Sequence, residues 1–256
     1  MKESWIHILE KPKLKNPILV EGLPGIGNVG RVSAGYIVSK MNAKKFAELF
    51  SPYFLPLVVT DDKSVGRLLR AEFYYIKGKK NDIIILIGDC QSMTTEGYYE
   101  ISGKIIDFAE QLGVKQIITL GGLGTGKIEK KSKIYGVVND EKLLKKFKEY
   151  DIEFVPMVPE TIVGISGILI GLAKVKGIDA ICLLGETPGL PFMVTDPIAA
   201  DAMLKVLTKI LGIKVDLSDL EKEVKELEEK IKKTEELHKN ILTKLTQEKK
   251  ELEYIG

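Results

Sequence analysis

Two glycine-rich segments carry the residue types and spacing that could hold a phosphate. Glu21-Gly-Leu-Pro-Gly-Ile-Gly-Asn-Val-Gly30 places Gly22, Pro24, Gly25, Gly27 and Gly30 directly after the apolar run Pro17–Val20. From Gly25 to Gly30 the pattern is G-x-G-x-x-G, which in a strand–turn–helix unit lets backbone N–H groups approach a pyrophosphate. The dinucleotide version also needs an acidic residue at the end of the next strand. Glu48 alone stands at about that spacing, and Leu-Phe-Ser-Pro follows it instead of a helix. The second segment, Gly121-Gly122-Leu-Gly124-Thr-Gly126-Lys127, approaches G-x-x-x-x-G-K-[ST], but Ile128 replaces the hydroxyl that would meet magnesium. Tight turns or protein contacts are the competing reading of both loops.

Nucleophilic and metal chemistry find less support. Gly164-Ile-Ser166-Gly167 resembles a nucleophile elbow, with Ile168 where its last glycine belongs. The chain has two histidines: His7 in the short apolar run Trp-Ile-His-Ile-Leu, and His238 near the C-terminus. Asp89 and Glu186 follow apolar strand-like runs, where α/β sheets build sites, and capping is their structural alternative. No cluster of His, Cys or carboxylates has metal-ligand spacing. Cys90 and Cys182 read as free thiols. The expectation is a chain with no catalytic residues, no metal and no cofactor.

The elements that would position these residues are those of an α/β domain. Apolar runs at Ile18–Val20, Ile83–Ile87, Gln116–Leu120 and Ala180–Leu184 alternate with helical patterns near 29–41, 95–112, 141–150 and 197–211. That alternation predicts a mainly parallel sheet covered by helices. Asp196-Pro197 is a helix start of the N-cap and N1 type. Phe54–Tyr75, rich in β-formers and prolines, predicts added antiparallel strands, and Lys127–Val138 a β-rich insert. The apolar run Thr161–Ala173 is too short to span a bilayer and reads as a buried helix.

Composition narrows the function classes. Of 256 residues 45% are hydrophobic and the net charge is +2, too small for a nucleic-acid surface. Arg31, Arg67 and Arg70 are the only arginines, and the Lys/Glu bias resembles that of thermophile proteins. Neither a nucleic-acid nor a membrane partner is expected, and the localisation expected is cytoplasmic.

From residue 216 onward the composition changes to Lys, Glu and Leu/Ile. Leu217, Leu220, Val224, Leu227 and Ile231 step by alternating three and four, and the register continues through Ile241, Leu245, Leu252 and Ile255, with Thr234, His238 and Glu248 interrupting the seam. Such a heptad predicts a coiled coil or helical hairpin, a long tail whose seam needs a partner. The expected division is a core domain at 1–215 and a helical tail at 216–256.

Glu-Gly-Leu-Pro-Gly-Ile-Gly-Asn-Val-Gly, Gly-Asp-Cys-Gln at 88–91, Thr-Leu-Gly-Gly-Leu-Gly-Thr-Gly at 119–126 and Leu-Gly-Glu-Thr-Pro-Gly at 184–189 together resemble the archaeal proteasome assembly chaperone 2 family. The likeness covers about residues 5–212. It implies a nucleoside-phosphorylase-like α/β fold without catalytic residues, self-association, and binding to proteasome α-subunits or an adaptor partner through loops and tail. The glycine loops would then be turns or contacts. Members that dock on the proteasome are expected to place a tyrosine second from the C-terminus. Here Tyr254-Ile255-Gly256 places it third. The alternative is a nucleoside or nucleotide enzyme using the Gly25–Gly30 loop.

Overall fold

A computed structural model describes residues 3–127, 131–154, 161–189, 195–222 and 224. The chain divides into two units between Asp216 and Leu217. In the second, residues 218–222 and 224 are helical. Among the described residues, the first unit has ten strands: β1 (Trp5–Ile8), β2 (Ile18–Gly22), β3 (Lys44–Phe50), β4 (Val58–Thr60), β5 (Gly66–Leu68), β6 (Ala71–Ile76), β7 (Ile83–Gly88), β8 (Gln116–Gly124), β9 (Ile134–Val138) and β10 (Asp179–Thr187). Five α-helices accompany them: α1 (Val29–Lys40), α2 (Thr95–Gln111), α3 (Lys142–Phe147), α4 (Ile165–Val175) and α5 (Pro197–Leu211).

Eight strands form one sheet in the order β1-β3-β6-β7-β2-β8-β10-β9, while β4 and β5 make a separate hairpin. The expected parallel core is present as β7-β2-β8-β10. Antiparallel strands extend it on both sides, β9 at one edge and β6, β3 and β1 at the other, so the whole sheet is mixed. The four parallel strands are apolar on successive residues because both of their faces are covered.

Alternation along the strands sorts the core into two layers. Leu19, Ile84, Ile117 and Cys182 pack with Ile101 and Ile105 of α2 and Ile165 and Leu169 of α4. The aromatic wedge Phe46, Phe73 and Phe108 extends this layer, with Phe73 and Phe108 centroids 5.1 Å apart. On the other face lie Val20, Ile85, Ile118 and Leu183, with α1 and α5 packed against each other and the sheet. Burying side chains of this size contributes about 1.5–3 kcal/mol each.

The helix ends are encoded locally. Thr94 caps α2 by accepting from Gly97 N–H at 3.1 Å, and Asp196 caps α5 through Ala199 N–H at 3.0 Å. Gly212, at φ 64°, ends α5 in the left-handed conformation.

Candidate functional site

The loops at the carboxyl ends of β7, β2, β8 and β10 meet, and their glycines are used for close backbone contact. A Cβ on Gly30 would collide with the carbonyl of Leu120, and one on Gly22 with the carbonyl of Gly30. This is how the first turn of α1 lies tight on β2 and β8. A Cβ on Gly122 would collide with the carbonyl of Ile26. Gly27, at φ 59°, turns the chain over β10; its Cβ would come 2.8 Å from Thr187 Oγ1. The turn at Ile26–Asn28 therefore lies directly against the second glycine loop and the end of β10. Gly124 packs on the Ile26 side chain, Gly121 faces Leu184, and Gly126 (φ 70°) donates its N–H to Pro188 O at 3.1 Å.

Side chains lock these loops together. Gln91 donates from Nε2 to Pro24 O at 2.6 Å and accepts Ile165 N–H at 3.0 Å, joining the first glycine loop to α4. Thr187 Oγ1 donates to Asp196 Oδ2 at 2.6 Å, while Asp196 N–H reaches Gly27 O at 2.9 Å. The residue that caps α5 thus also holds β10 and the glycine loop.

Asp89 belongs to a different cluster. Arg67 donates to it from both Nη atoms, at 2.6 and 3.0 Å, and Arg70 N–H adds a bond at 3.0 Å. Burial by itself would raise the Asp89 carboxyl. The Arg67 guanidinium, the Arg70 N–H and the charges of Arg67 and Arg31 outweigh it and hold the carboxyl below its ordinary value. The Arg67 guanidinium and the Arg70 backbone N–H thus hold one carboxylate, which fastens the β4–β5 hairpin to the end of β7, while the Arg70 guanidinium pairs with Glu72 and Glu48.

Glu186 is turned to the other side. Its N–H donates to Lys133 O at 2.9 Å and its carbonyl accepts Ser132 Oγ at 2.7 Å. Two strands stand between β7 and β10, about 14 Å at ordinary strand spacing. Asp89 and Glu186 therefore do not form an acid–base pair.

The titratable group that sequence reasoning passed over is Glu21. It is fully buried on β2, where it accepts Ser166 Oγ–H at 2.8 Å and Leu23 N–H at 3.0 Å. Burial pushes its carboxyl up to about 7, against the pull of those two hydrogen bonds. Thr119 and Cys182 lie beside it, and burial pushes the Cys182 thiol up to about 12. The available signal was a carboxylate at the end of an apolar run. Ser166, weighed as a nucleophile, is buried on the first turn of α4 with Glu21 as its partner, and His7 lies on the distant edge strand β1. Among the described residues no group of three His, Cys, Asp or Glu side chains is placed to hold a metal ion, and no helix is long and apolar enough to cross a membrane.

Of the tail residues, Leu220 and Val224 are helical. Leu227, Ile231, Ile241, Leu245, Leu252, Tyr254, Ile255 and Gly256 lie outside the described residues, as does the coiled coil expected there.

A mixed eight-stranded sheet between two helical layers, with glycine loops interlocked at its carboxyl rim, defines an α/β protein whose rim is built for backbone contact. The PAC2 family profile matches residues 19–235, and the chain belongs to the PAC2 family. An uncharacterized protein of Methanocaldococcus jannaschii is 38% identical over 247 residues, 95% of this chain and 93% of that protein. The crystal structure of Pyrococcus furiosus PbaB, an archaeal proteasome activator, is similar with a TM-score of 0.85 and 38% identity, covering 92% of this chain and all of that one. Pyrococcus furiosus PbaA, an archaeal homolog of proteasome-assembly chaperone, gives a TM-score of 0.72 and 28% identity, over 91% of this chain and 96% of that one.

Proposed function

We propose that this protein is a non-enzymatic, cytoplasmic chaperone homologue of the proteasome, acting as a homo-oligomer. It binds proteasome α-subunits or an adaptor through its rim loops and its C-terminal tail, with residues 1–215 as core and 216–256 as helical interaction arm. The nucleoside-phosphorylase-like ancestry and the archaeal, thermophilic origin are part of this reading. The observation that carries it is the likeness to PbaB over nearly the whole chain. The interlocked glycine loops support it, because their glycines are used for contact between segments of the rim. Exposed Ile26 and Met93 on the rim are the kind of apolar side chains a protein contact covers.

A second reading follows from the same comparison. PbaB, at 38% identity, is described as an activator, whereas PbaA, at 28%, is described as a chaperone homolog. Reconstitution from separate α- and β-subunits distinguishes the two. A higher yield of assembled particles establishes an assembly role, and faster peptide cleavage by finished particles establishes activation. No effect on either, with no binding to the subunits, overturns the proteasome reading. A stabilising shift on adding nucleosides or nucleotides would restore the enzyme alternative.

A further inference from the structure

Among the described residues β1 lies at the edge of the sheet and pairs with β3 alone. The bonds around it reveal which of its peptide groups face outward. Leu9 N–H turns inward to Phe46 O at 2.8 Å. Ser4 N–H turns the other way, to the Glu100 carboxylate at 2.8 Å. In an antiparallel ladder, alternate residues direct their peptide groups to the same side. Trp5, His7 and Leu9 therefore face β3, while Ile6 and Ile8 present their N–H and C=O groups at the free edge.

The side chains there are apolar and exposed: Trp5 by 40%, Ile8 by 44% and Leu9 by 49%. No lysine or proline interrupts Trp5–Leu9 to guard the edge. A strand in this condition is a template for another strand.

We infer that β1 pairs antiparallel with β1 of a second copy, across a twofold axis at His7, joining the two sheets edge to edge. This deepens the self-association part of the proposed function and rests on it. The outward groups set the register. Ser4 is held by Glu100, so Ile6 faces Ile8 of the second copy, twice by symmetry, with four backbone hydrogen bonds. His7 then lies opposite His7, Trp5 opposite Leu9, and Glu3 is brought toward Lys11 at both ends. Glu3 already reaches Lys104 of its own chain at 3.3 Å, so Lys11 adds a second cation to the same carboxylate. Sliding the pair to centre on Ile8 would set Trp5 against Lys11 and Ile6 against Glu10, losing the apolar pairing. The segment is its own complement, and this selects a second copy as the occupant.

Two variants test the pairing. Ile8→Pro removes an outward N–H and leaves the bonds to β3 intact, as proline is tolerated on an edge facing solvent. Its oligomer mass by light scattering is expected to fall to half or less, with an unchanged circular dichroism spectrum. His7→Cys, in a Cys90→Ser background, places two thiols on the axis at a non-hydrogen-bonded position. There the Cα atoms are about 4.5 Å apart, within disulfide range. Oxidation is expected to give a disulfide-linked dimer, and Trp5→Cys, opposite Leu9, is expected not to cross-link. An oligomer unchanged by Ile8→Pro, with no His7→Cys cross-link, overturns the β1 interface and leaves self-association standing. A wild-type chain that is monomeric at every concentration overturns self-association itself.

Discussion

The hydroxyl of Ser166 donates to the carboxyl of Glu21 at 2.8 Å, tying the first turn of α4 to the buried end of β2. Thr119 donates from the neighbouring strand to the Ser166 carbonyl at 3.1 Å. One hydrogen-bonded chain thus crosses from the middle of the sheet to the helix that covers it. Because Glu21 is fully buried, the strength of this tie depends on its protonation state.

That dependence has a definite sign. The folded-state carboxyl is raised from 4.5 to about 7, so the folded protein holds this proton more tightly than the unfolded chain does. The Glu21 contribution is most favourable below pH 4.5, declines between pH 4.5 and 7, and is lost above about 7. A shift of this size amounts to about 3 kcal/mol at roughly 1.4 kcal/mol per unit. Glu21→Gln keeps an acceptor for Leu23 N–H and has no charge to desolvate. Denaturant unfolding at pH 5 and pH 8.5 is expected to show the variant gaining up to about 3 kcal/mol on wild type between the two. A difference that does not change with pH contradicts the assignment.

The Arg67–Asp89 pair predicts a local effect. Asp89→Asn leaves Arg67 without its carboxylate and is expected to cost only about 1 kcal/mol globally, since Arg67 is more than a third exposed. Amide exchange in the β4–β5 hairpin, which this pair fastens, is expected to rise well above that of the core. The lowered carboxyl gives this tie its full strength at neutral pH and weakens it as the pH falls below the ordinary 3.8.

The glycines of α1 separate backbone contact from mere permissiveness. A Cβ at Gly30 would collide with Leu120 O, whereas one at Gly35 meets nothing within 4 Å. Gly30→Ala is expected to destabilise by about 1–3 kcal/mol through overpacking. Gly35→Ala is expected to stabilise by about 0.5–1 kcal/mol through helix propensity. Gly103→Ala and Gly171→Ala, equally open, are expected to raise Tm as well. Thermal unfolding of the four variants checks the contrast.

Much of this fold was legible because apolar runs and helical periods alternate. β2, β7, β8, β10 and the helices α1, α2 and α5 stand close to where the pattern placed them. β3 was not legible: a register shift between Lys45 and Ala47 breaks its period of two and puts Phe46 and Ala47 both inside. Added antiparallel strands were expected in Phe54–Tyr75, where β6 lies, and a β-rich insert at Lys127–Val138, where β9 lies; their places in the sheet were hidden because no local signal says which strand β1 or β9 will join. The rim glycines were visible as residues, but their role depends on Ile26 folding over Gly122, a contact between segments almost a hundred residues apart. Glu21 was visible as a carboxylate after an apolar run. Only the placement of β2 between β7 and β8, under α4, makes it a buried titratable group.

Direct docking on proteasome α-subunits through the tail, one form of the proposed function, is testable with purified components. Proteasome α-subunits are mixed with full-length protein and with the 1–216 truncation, and each complex is measured by sedimentation velocity. A complex is expected with the full-length chain and none with the truncation, while the truncation keeps its own unfolding transition. A truncation that binds the α-subunits equally well would contradict docking through the tail, and a full-length chain that leaves them unbound would overturn direct binding and leave the adaptor partner.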